Sequence, residues 1–422
     1  MSASAYLPRT VDSELERLLR AAGAVVVEGP KACGKTRTAR RFAASEVRLD
    51  VDLDAQAAAL VEPRVILTGE TPRLIDEWQT VPKLWNAVRA EIDDRGRVGQ
   101  FLLAGSAVPA DDETRHSGAG RFARLRMRPM SLYESGASDG SVSLAGLLGG
   151  EPVGGASSEL TIPELARELA IGGWPSIRVQ RLSTEDALEA VRGYVDQIRR
   201  TDIQGADGVD RDPERVLRLM QSLARNVSTL VDNKTLAADT AGDAGGPIDR
   251  ETVGSYLRAL ERIFVIEDQP AWAPHLRSKW QLRKSSKRHF TDPSMAVAAL
   301  RTSPERVLRE MNYFGFLFES LVVRDLRIYA QSADAEVRHF KDNRGLEVDA
   351  IVQAADGRWA AFEVKLGVEW VDQAAENLKL FAKQIDTAAT GPLGALAVIV
   401  ARGYAYTRDD GIAVIPIGAL GP

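Results

Sequence analysis

The sequence predicts an α/β protein: a parallel sheet with helices on both faces, then a helical region, then a second α/β part. Three observations predict it. Short apolar runs alternate with helical patterns from residue 11 to residue 134, the signature of strand–helix units. From roughly 160 to 272 the apolar residues fall mostly at helical spacing. From about 310 the pattern changes to helix, three strands, helix, strand. The corresponding parts are 1–155, 156–272 and 273–422, and 422 residues suffice for two or three domains.

Composition bounds the function. Apolar residues make up 45%, an ordinary value for a globular chain. The balance of 54 basic against 59 acidic residues gives a net charge of −5, so any nucleic-acid surface must be local. The single cysteine, Cys33, excludes an internal disulfide framework and fits a reducing cytosol. There is no apolar run of about 18 residues to span a membrane, and the N-terminus lacks the apolar core of a signal peptide. A soluble cytoplasmic protein is expected, with no membrane partner.

In the first part, the apolar run Val25–Glu28 feeds a glycine loop and Thr36–Ala44 reads as the helix after it. The loop is Gly29-Pro30-Lys31-Ala32-Cys33-Gly34-Lys35-Thr36, which fits G-x-x-x-x-G-K-[ST] at every position. Glycines are needed there because backbone N–H groups must wrap closely around phosphate oxygens. Lys35 is placed to reach the β/γ-phosphates, and the Thr36 hydroxyl to meet Mg²⁺. The following helix points its positive end at the same phosphates, with Arg37 counted among the nucleotide-contacting residues. Lys31 and Cys33 occupy free positions of the pattern and receive no individual role.

Further strands are expected at Arg48–Leu53, Leu74–Ile75 and Phe101–Ala104. The second of these ends in Asp76-Glu77, at the strand edge where α/β ligand sites form. Asp76 is the expected Mg²⁺ residue, directly or through water, and Glu77 the residue that orients and deprotonates the attacking water. Asp76 lies forty residues beyond Thr36, a distance that gives an otherwise weak pair its meaning. Ser106, closing Phe101–Ser106, is either a γ-phosphate sensor or part of a plain strand-to-loop turn. Arg121 is either a transition-state arginine, in cis or from another subunit, or one basic residue of a solvated edge strand.

Gly136–Ser158 has the composition of a linker, and Ala241–Pro247 that of a loop inside a domain. Between them Leu217–Val227, Thr235–Asp239 and Arg250–Arg262 form three amphipathic helical patterns, and Phe264–Ile266 reads as a strand. That order suggests a winged helix-turn-helix; a helical lid on the ATPase core is the other reading. Arg277, Lys279, Arg283, Lys284, Lys287 and Arg288 then form a basic cluster near Trp272 and Trp280. Such a cluster suits phosphate contact with stacking, or is simply a solvated face.

The last part predicts a helix, Tyr313–Ala330, strands at Val337–Phe340, Glu347–Val352 and Trp359–Val364, a helix at Val371–Lys383 and a strand at Ala395–Val400. Asp349 ends its segment, and Glu363 and Lys365 point to one face of the next strand. With Glu319 from the long helix, these form the pattern of a PD-(D/E)xK nuclease core. Glu319, Asp349 and Glu363 then hold Mg²⁺, and Lys365 helps position a water for phosphodiester attack. The other reading is a nuclease-like fold whose acids form structural ion pairs with Lys365. The four histidines, His116, His275, His289 and His339, lack metal-ligand spacing.

Taken in order, these motifs resemble the prokaryotic AAA-like ATP-binding proteins with an uncharacterised C-terminal domain ending in a restriction-endonuclease-like fold. The residues that carry the resemblance are Gly29–Thr36, Leu74–Gln79 with Val81-Pro82, Leu103–Ser106, Gly120-Arg121 and Arg128–Ser131. They continue through Gly172–Pro175, Tyr256-Leu257 with Leu260-Glu261, His289–Asp292, Gly315 with Phe318-Glu319, and Glu347–Asp349 with Glu363–Lys365. Trp78 stands where the family usually has a smaller aliphatic residue, and Gly136–Ser158 is longer and more glycine-rich than expected. The resemblance implies an ATPase core, a winged-helix middle and a nuclease-like end. Three functions follow: an ATP-gated DNA-processing enzyme, an ATP/ADP-driven regulatory switch, or a remodelling homo-oligomer.

Overall fold

The structure, a computed structural model, describes residues 6–105, 118–241, 249–274 and 285–422. The chain divides into two compact units. The first comprises residues 1–129, 200–211 and 257–265; the second comprises 130–199, 212–256 and 266–422.

The first unit is built on five parallel strands: β1 (Ala24–Glu28), β2 (Ser45–Arg48), β3 (Arg73–Asp76), β4 (Phe101–Gly105) and β5 (Phe122–Arg126). Their order is β2-β3-β4-β1-β5, so β4 separates the strand that feeds the glycine loop from the strand that ends in Asp76. Helices α1 (Asp12–Ala21), α2 (Lys35–Phe42), α3 (Leu53–Val61) and α4 (Leu84–Arg95) accompany it. Alternate strand residues face opposite ways. Val26, Ile75 and Leu103 join a core with Trp78, Trp85 and Ile92, while Val25, Val27, Leu74 and Leu102 join another with Leu15 and Ala39. Burial on both faces explains why these strands read as continuous apolar runs. The unit has the P-loop NTPase fold.

The strand expected at Arg48–Leu53 is displaced: β2 ends at Arg48, and Asp52 caps α3 by accepting a hydrogen bond from Ala55 N at 2.9 Å. The capping carboxylate competes with extension of the strand.

The second unit has a seven-stranded sheet in the order β7-β12-β13-β11-β10-β9-β8. Its strands are β7 (Gly154–Ser158), β8 (Ala335–Lys341), β9 (Glu347–Ala354), β10 (Trp359–Lys365), β11 (Leu393–Val400), β12 (Gly403–Thr407) and β13 (Ala413–Pro416). A two-stranded pair joins β6 (Val142–Ser143) to β14 (Leu420–Gly421). The helix Met311–Ser332 precedes β8 and the helix Val371–Ala382 precedes β11, giving the expected helix, three strands, helix, strand order.

Gly136–Ser158 is not a linker. β7 pairs with β12, and Leu144, Leu147 and Leu148 are buried. A domain boundary after residue 155 would therefore cut a strand of this sheet. The three amphipathic patterns of the middle part form the helices Pro213–Arg225, Asn233–Ala241 and Arg250–Arg262, after the earlier helices Ile162–Ile171, Pro175–Gln180 and Thr184–Gln197. After them, Ile266 bridges to Phe290 and Gln269 to Lys287, both antiparallel. No helix among the described residues is long and apolar enough to cross a membrane.

Candidate nucleotide site

The glycine loop runs from the C-terminal end of β1 into α2. Gly29 has φ +153°, and a Cβ there would lie 2.2 Å from Met127 O, so the backbone turns where only glycine fits. Cys33 is buried in the core beneath the loop, and Arg9 Nη1 donates to its carbonyl at 2.8 Å. Arg9 also donates to Arg128 O at 2.7 Å, tying the loop to the chain beyond β5. Pro30 and Ala32 complete the loop, and Arg37 lies exposed on the first turns of α2.

Lys35 is buried and folds back along the loop, its Nζ donating to Gly29 O at 2.9 Å and Pro30 O at 2.8 Å. The ammonium is thus fixed inside the curve of the backbone that the pattern assigns to phosphate. Thr36 Oγ1 donates to Asp76 Oδ1 at 3.0 Å, across the strand that lies between them. Burial, with Glu77 and Asp50 nearby, raises the Asp76 carboxyl above its ordinary value against the Thr36 hydroxyl and Arg48, which act the other way. A hydroxyl and a carboxylate side by side are hard oxygen donors, the set that suits Mg²⁺.

Glu77 follows in a left-handed conformation, φ 52° and ψ 41°, which a non-glycine residue adopts at some cost. The side chain of Gln79 donates to its carboxylate. Trp78 is buried against Trp85, their ring centroids 5.6 Å apart, so a large aromatic residue anchors the turn where a smaller one was expected. Glu28, Asp76 and Gly105 all close their strands at the same sheet edge as the loop.

Arg121 does not belong to this edge. It precedes β5 and its carbonyl accepts from Ala24 N, so it sits at the start of the strands, opposite the loop. There it pairs with Asp93 at 2.8 Å. An in-cis role at the phosphates is thereby corrected: the length of the sheet intervenes. Ser106 lies outside the described residues, as do Arg277, Lys279, Trp280, Arg283, Lys284, His116 and His275.

The C-terminal carboxylates do come together, with lysines among them. Lys287 Nζ lies 2.7 Å from Glu319 Oε1, 2.9 Å from Glu347 Oε1 and 3.4 Å from Asp349 Oδ1. Its side chain is 2% exposed. Lys365 Nζ lies 2.7 Å from Glu363 Oε2 and 3.5 Å from Asp349 Oδ2, which also accepts from Val364 N at 2.9 Å. Asn377 donates to Glu363 at 2.5 Å. Burial opposes the charge on Lys287, but the three acids around it raise its pKa. Burial and Asp349 push Glu319 up to about 8 and raise Glu363 as well, whereas Lys287, Lys365 and the Val364 amide hold Asp349 down against burial.

All three acids expected to hold Mg²⁺ lie against lysines: Glu319 and Asp349 against Lys287, Asp349 and Glu363 against Lys365. Among the described residues no three His, Cys, Asp or Glu side chains form a set able to hold a metal. The Lys287 ammonium takes one oxygen from each of Glu319, Glu347 and Asp349, while Glu363 is paired with Lys365. Lys287, Glu347 and Asn377 were missed as members of this cluster. In the sequence Lys287 stands only as one member of a basic run, and nothing local ties it to acids 32 to 62 residues away.

Residues 21–136 match the AAA domain family. Residues 162–306 match a domain of unknown function, DUF8612, and residues 314–420 another, DUF4143. Uncharacterised proteins of Mycobacterium bovis and Mycobacterium tuberculosis are each 24% identical over 361 residues, which cover 85% of this chain and 73% of theirs. A solved Walker-type ATPase of Pyrococcus abyssi aligns with 13% identity and a TM-score of 0.44, over 70% of this chain and 96% of its own. The AAA match covers the loop, Asp76 and Glu77.

Proposed function

We propose that the chain binds and hydrolyses Mg·ATP in its first unit and uses turnover to rearrange its domains. The observation that carries this reading is the 3.0 Å hydrogen bond from Thr36 to Asp76, with Lys35 inside the loop and Glu77 next in sequence. Thr36 and Asp76 would hold Mg²⁺, which supplies charge neutralisation at the phosphates. Lys35 exchanges its loop carbonyls for phosphate oxygens. Glu77, oriented by Gln79, positions a water and takes its proton.

An ATPase assay on the wild type and Glu77→Gln tests this, alongside equilibrium nucleotide binding. Removing a general base lowers turnover by about 10²–10⁴-fold. Retained binding with turnover lost supports the assignment; unchanged turnover in Glu77→Gln rejects it.

The second part of the proposal concerns the rest of the chain. Three helices followed by the antiparallel bridges 266–290 and 269–287 favour a winged helix, and the strand order around Asp349 favours a restriction-endonuclease-like fold. DNA is the proposed partner, and the cytoplasm the proposed location. The lysines paired to Glu319, Glu347, Asp349 and Glu363 favour the regulatory reading, in which this domain binds a partner without cleaving nucleic acid. Adding DNA to the same ATPase assay, and scoring the DNA for Mg²⁺-dependent cleavage, distinguishes the two. Cleavage lost in both Asp349→Ala and Lys365→Ala would restore the nuclease.

A further inference from the structure

A second lysine of the glycine loop has a partner that the nucleotide pattern does not supply. Lys31 Nζ lies 2.5 Å from Asp202 Oδ1. The lysine side chain is 48% exposed, while that of the aspartate is 5% exposed. Asp202 closes a π-helical turn, Ile198–Asp202, and leads into the short helix Ile203–Gly205. Such turns interrupt regular helices and recur at functional positions. Residues 200–211 belong to the first unit although the rest of it, except residues 257–265, ends at residue 129. A distant segment of the chain therefore delivers a buried carboxylate to the phosphate loop.

The pair has an electrostatic consequence. Lys31 is one residue beyond Pro30, whose carbonyl holds the Lys35 ammonium. A polyphosphate entering the loop brings several negative charges close to both lysines. Asp202 competes with it for Lys31. Opposite charges favour, and like charges oppose, binding at this range. A buried carboxylate is little screened by salt, so its influence persists at physiological ionic strength.

We propose that Asp202 is a positioning residue that holds Lys31 away from nucleotide and thereby weakens binding, so that Lys31 exchanges Asp202 for phosphate when ATP arrives. The carboxylate then loses its partner, and the segment 200–211 registers the occupied loop. This inference rests on the nucleotide reading of the loop.

Equilibrium titration with a fluorescent ATP analogue and Mg²⁺ tests it in the full chain. The wild type is measured first: no binding there sinks the nucleotide reading itself, independently of Asp202. Asp202→Asn keeps the shape and removes the charge. We expect it to tighten binding by about tenfold, because Lys31 no longer has a charged partner to give up. In the Lys31→Gln background the same substitution should change affinity less than about twofold, since no lysine remains to be released. Lys31→Gln alone, at a half-exposed position that folding tolerates, should weaken binding by about tenfold. Weaker or unchanged affinity in Asp202→Asn overturns the proposal, as does tightening that persists without Lys31. If Asp202→Asn does not fold, unaltered affinity in Lys31→Gln overturns it alone.

Discussion

Glu319 shows how one buried carboxyl shapes the stability of the second unit. Burial, with Asp349 and Glu347 nearby, pushes it up to about 8 from an ordinary 4.5, against the pull of Lys287. The folded state therefore binds a proton more tightly than the unfolded chain between those two values. Stability contributed by this group is fully present below about pH 4.5 and is lost as pH rises through 8. Glu319→Gln should remove that slope, up to about 1.4 kcal/mol per pH unit for one proton. Urea unfolding of both proteins at pH 5.5 and pH 8 measures it; parallel pH dependences would contradict the assignment. At this scale the sequence was legible where chemistry is contiguous. Gly29–Thr36 and Asp76-Glu77 are local patterns, and the structure joins them through Thr36 and Asp76. Arg9, Lys287 and Asp202 were invisible because each acts across a long stretch of chain on a partner that no spacing rule connects to it.

The long helix Met311–Ser332 is held by one guanidinium. Arg324 Nη1 lies 2.8 Å from Asp292 Oδ2 and Nη2 lies 2.7 Å from Asp325 Oδ1, with all three side chains buried. The acids are bonded onward: Asp292 accepts from Gly173 N at 2.9 Å and Asp325 from Leu132 N at 3.0 Å. The network thus staples the helix to the segments around Leu132, Gly173 and Asp292. Arg324→Met keeps much of the bulk but leaves two buried acids without a cation, which costs about 3–5 kcal/mol. Burial already raises Asp325, with Arg324 opposing it, so loss of the arginine raises it further. The variant's deficit should therefore be larger at pH 8 than at pH 5, because protonation relieves the uncompensated charge. Equal deficits in urea unfolding at both pH values would show that the arginine acts by packing alone. Helix periodicity announced this element almost to the residue, while the capped start of α3 displaced the expected strand at Arg48–Leu53. A cap is a single side-chain contact, and an alternating run such as Arg48–Leu53 carries no sign of which side will prevail.

For the molecule as a whole, the order of the chain and the order of its units differ. The chain passes between the units at 129/130, 199/200, 211/212, 256/257 and 265/266. Local composition cannot disclose such returns, and the glycines of Gly136–Ser158 mimic a linker while Leu144, Leu147 and Leu148 are buried. A fragment ending at residue 155, where composition suggests a boundary, would lack residues 200–211 and 257–265 of the first unit. Those residues include Ile203, Ala206, Leu257, Leu260, Ile263, Phe264 and Val265, all buried, and Phe264 receives Arg126 over its ring at 3.9 Å. Each large apolar side chain contributes about 1.5–3 kcal/mol on burial, so losing several removes much of the roughly 5–15 kcal/mol that keeps a domain folded. The fragment would also carry Val142, Leu144, Leu147 and Leu148 from the other unit. Residues 1–155 alone should therefore give no cooperative thermal transition and no saturable ATP binding, although they contain the complete loop with Asp76 and Glu77. A well-folded fragment that binds ATP like the full chain would show that the returning segments are ornaments on a self-sufficient domain. Its failure, with the full chain intact, would mean that the glycine loop, Asp76 and Glu77 depend on the segments 200–211 and 257–265, which return to this unit from far along the chain.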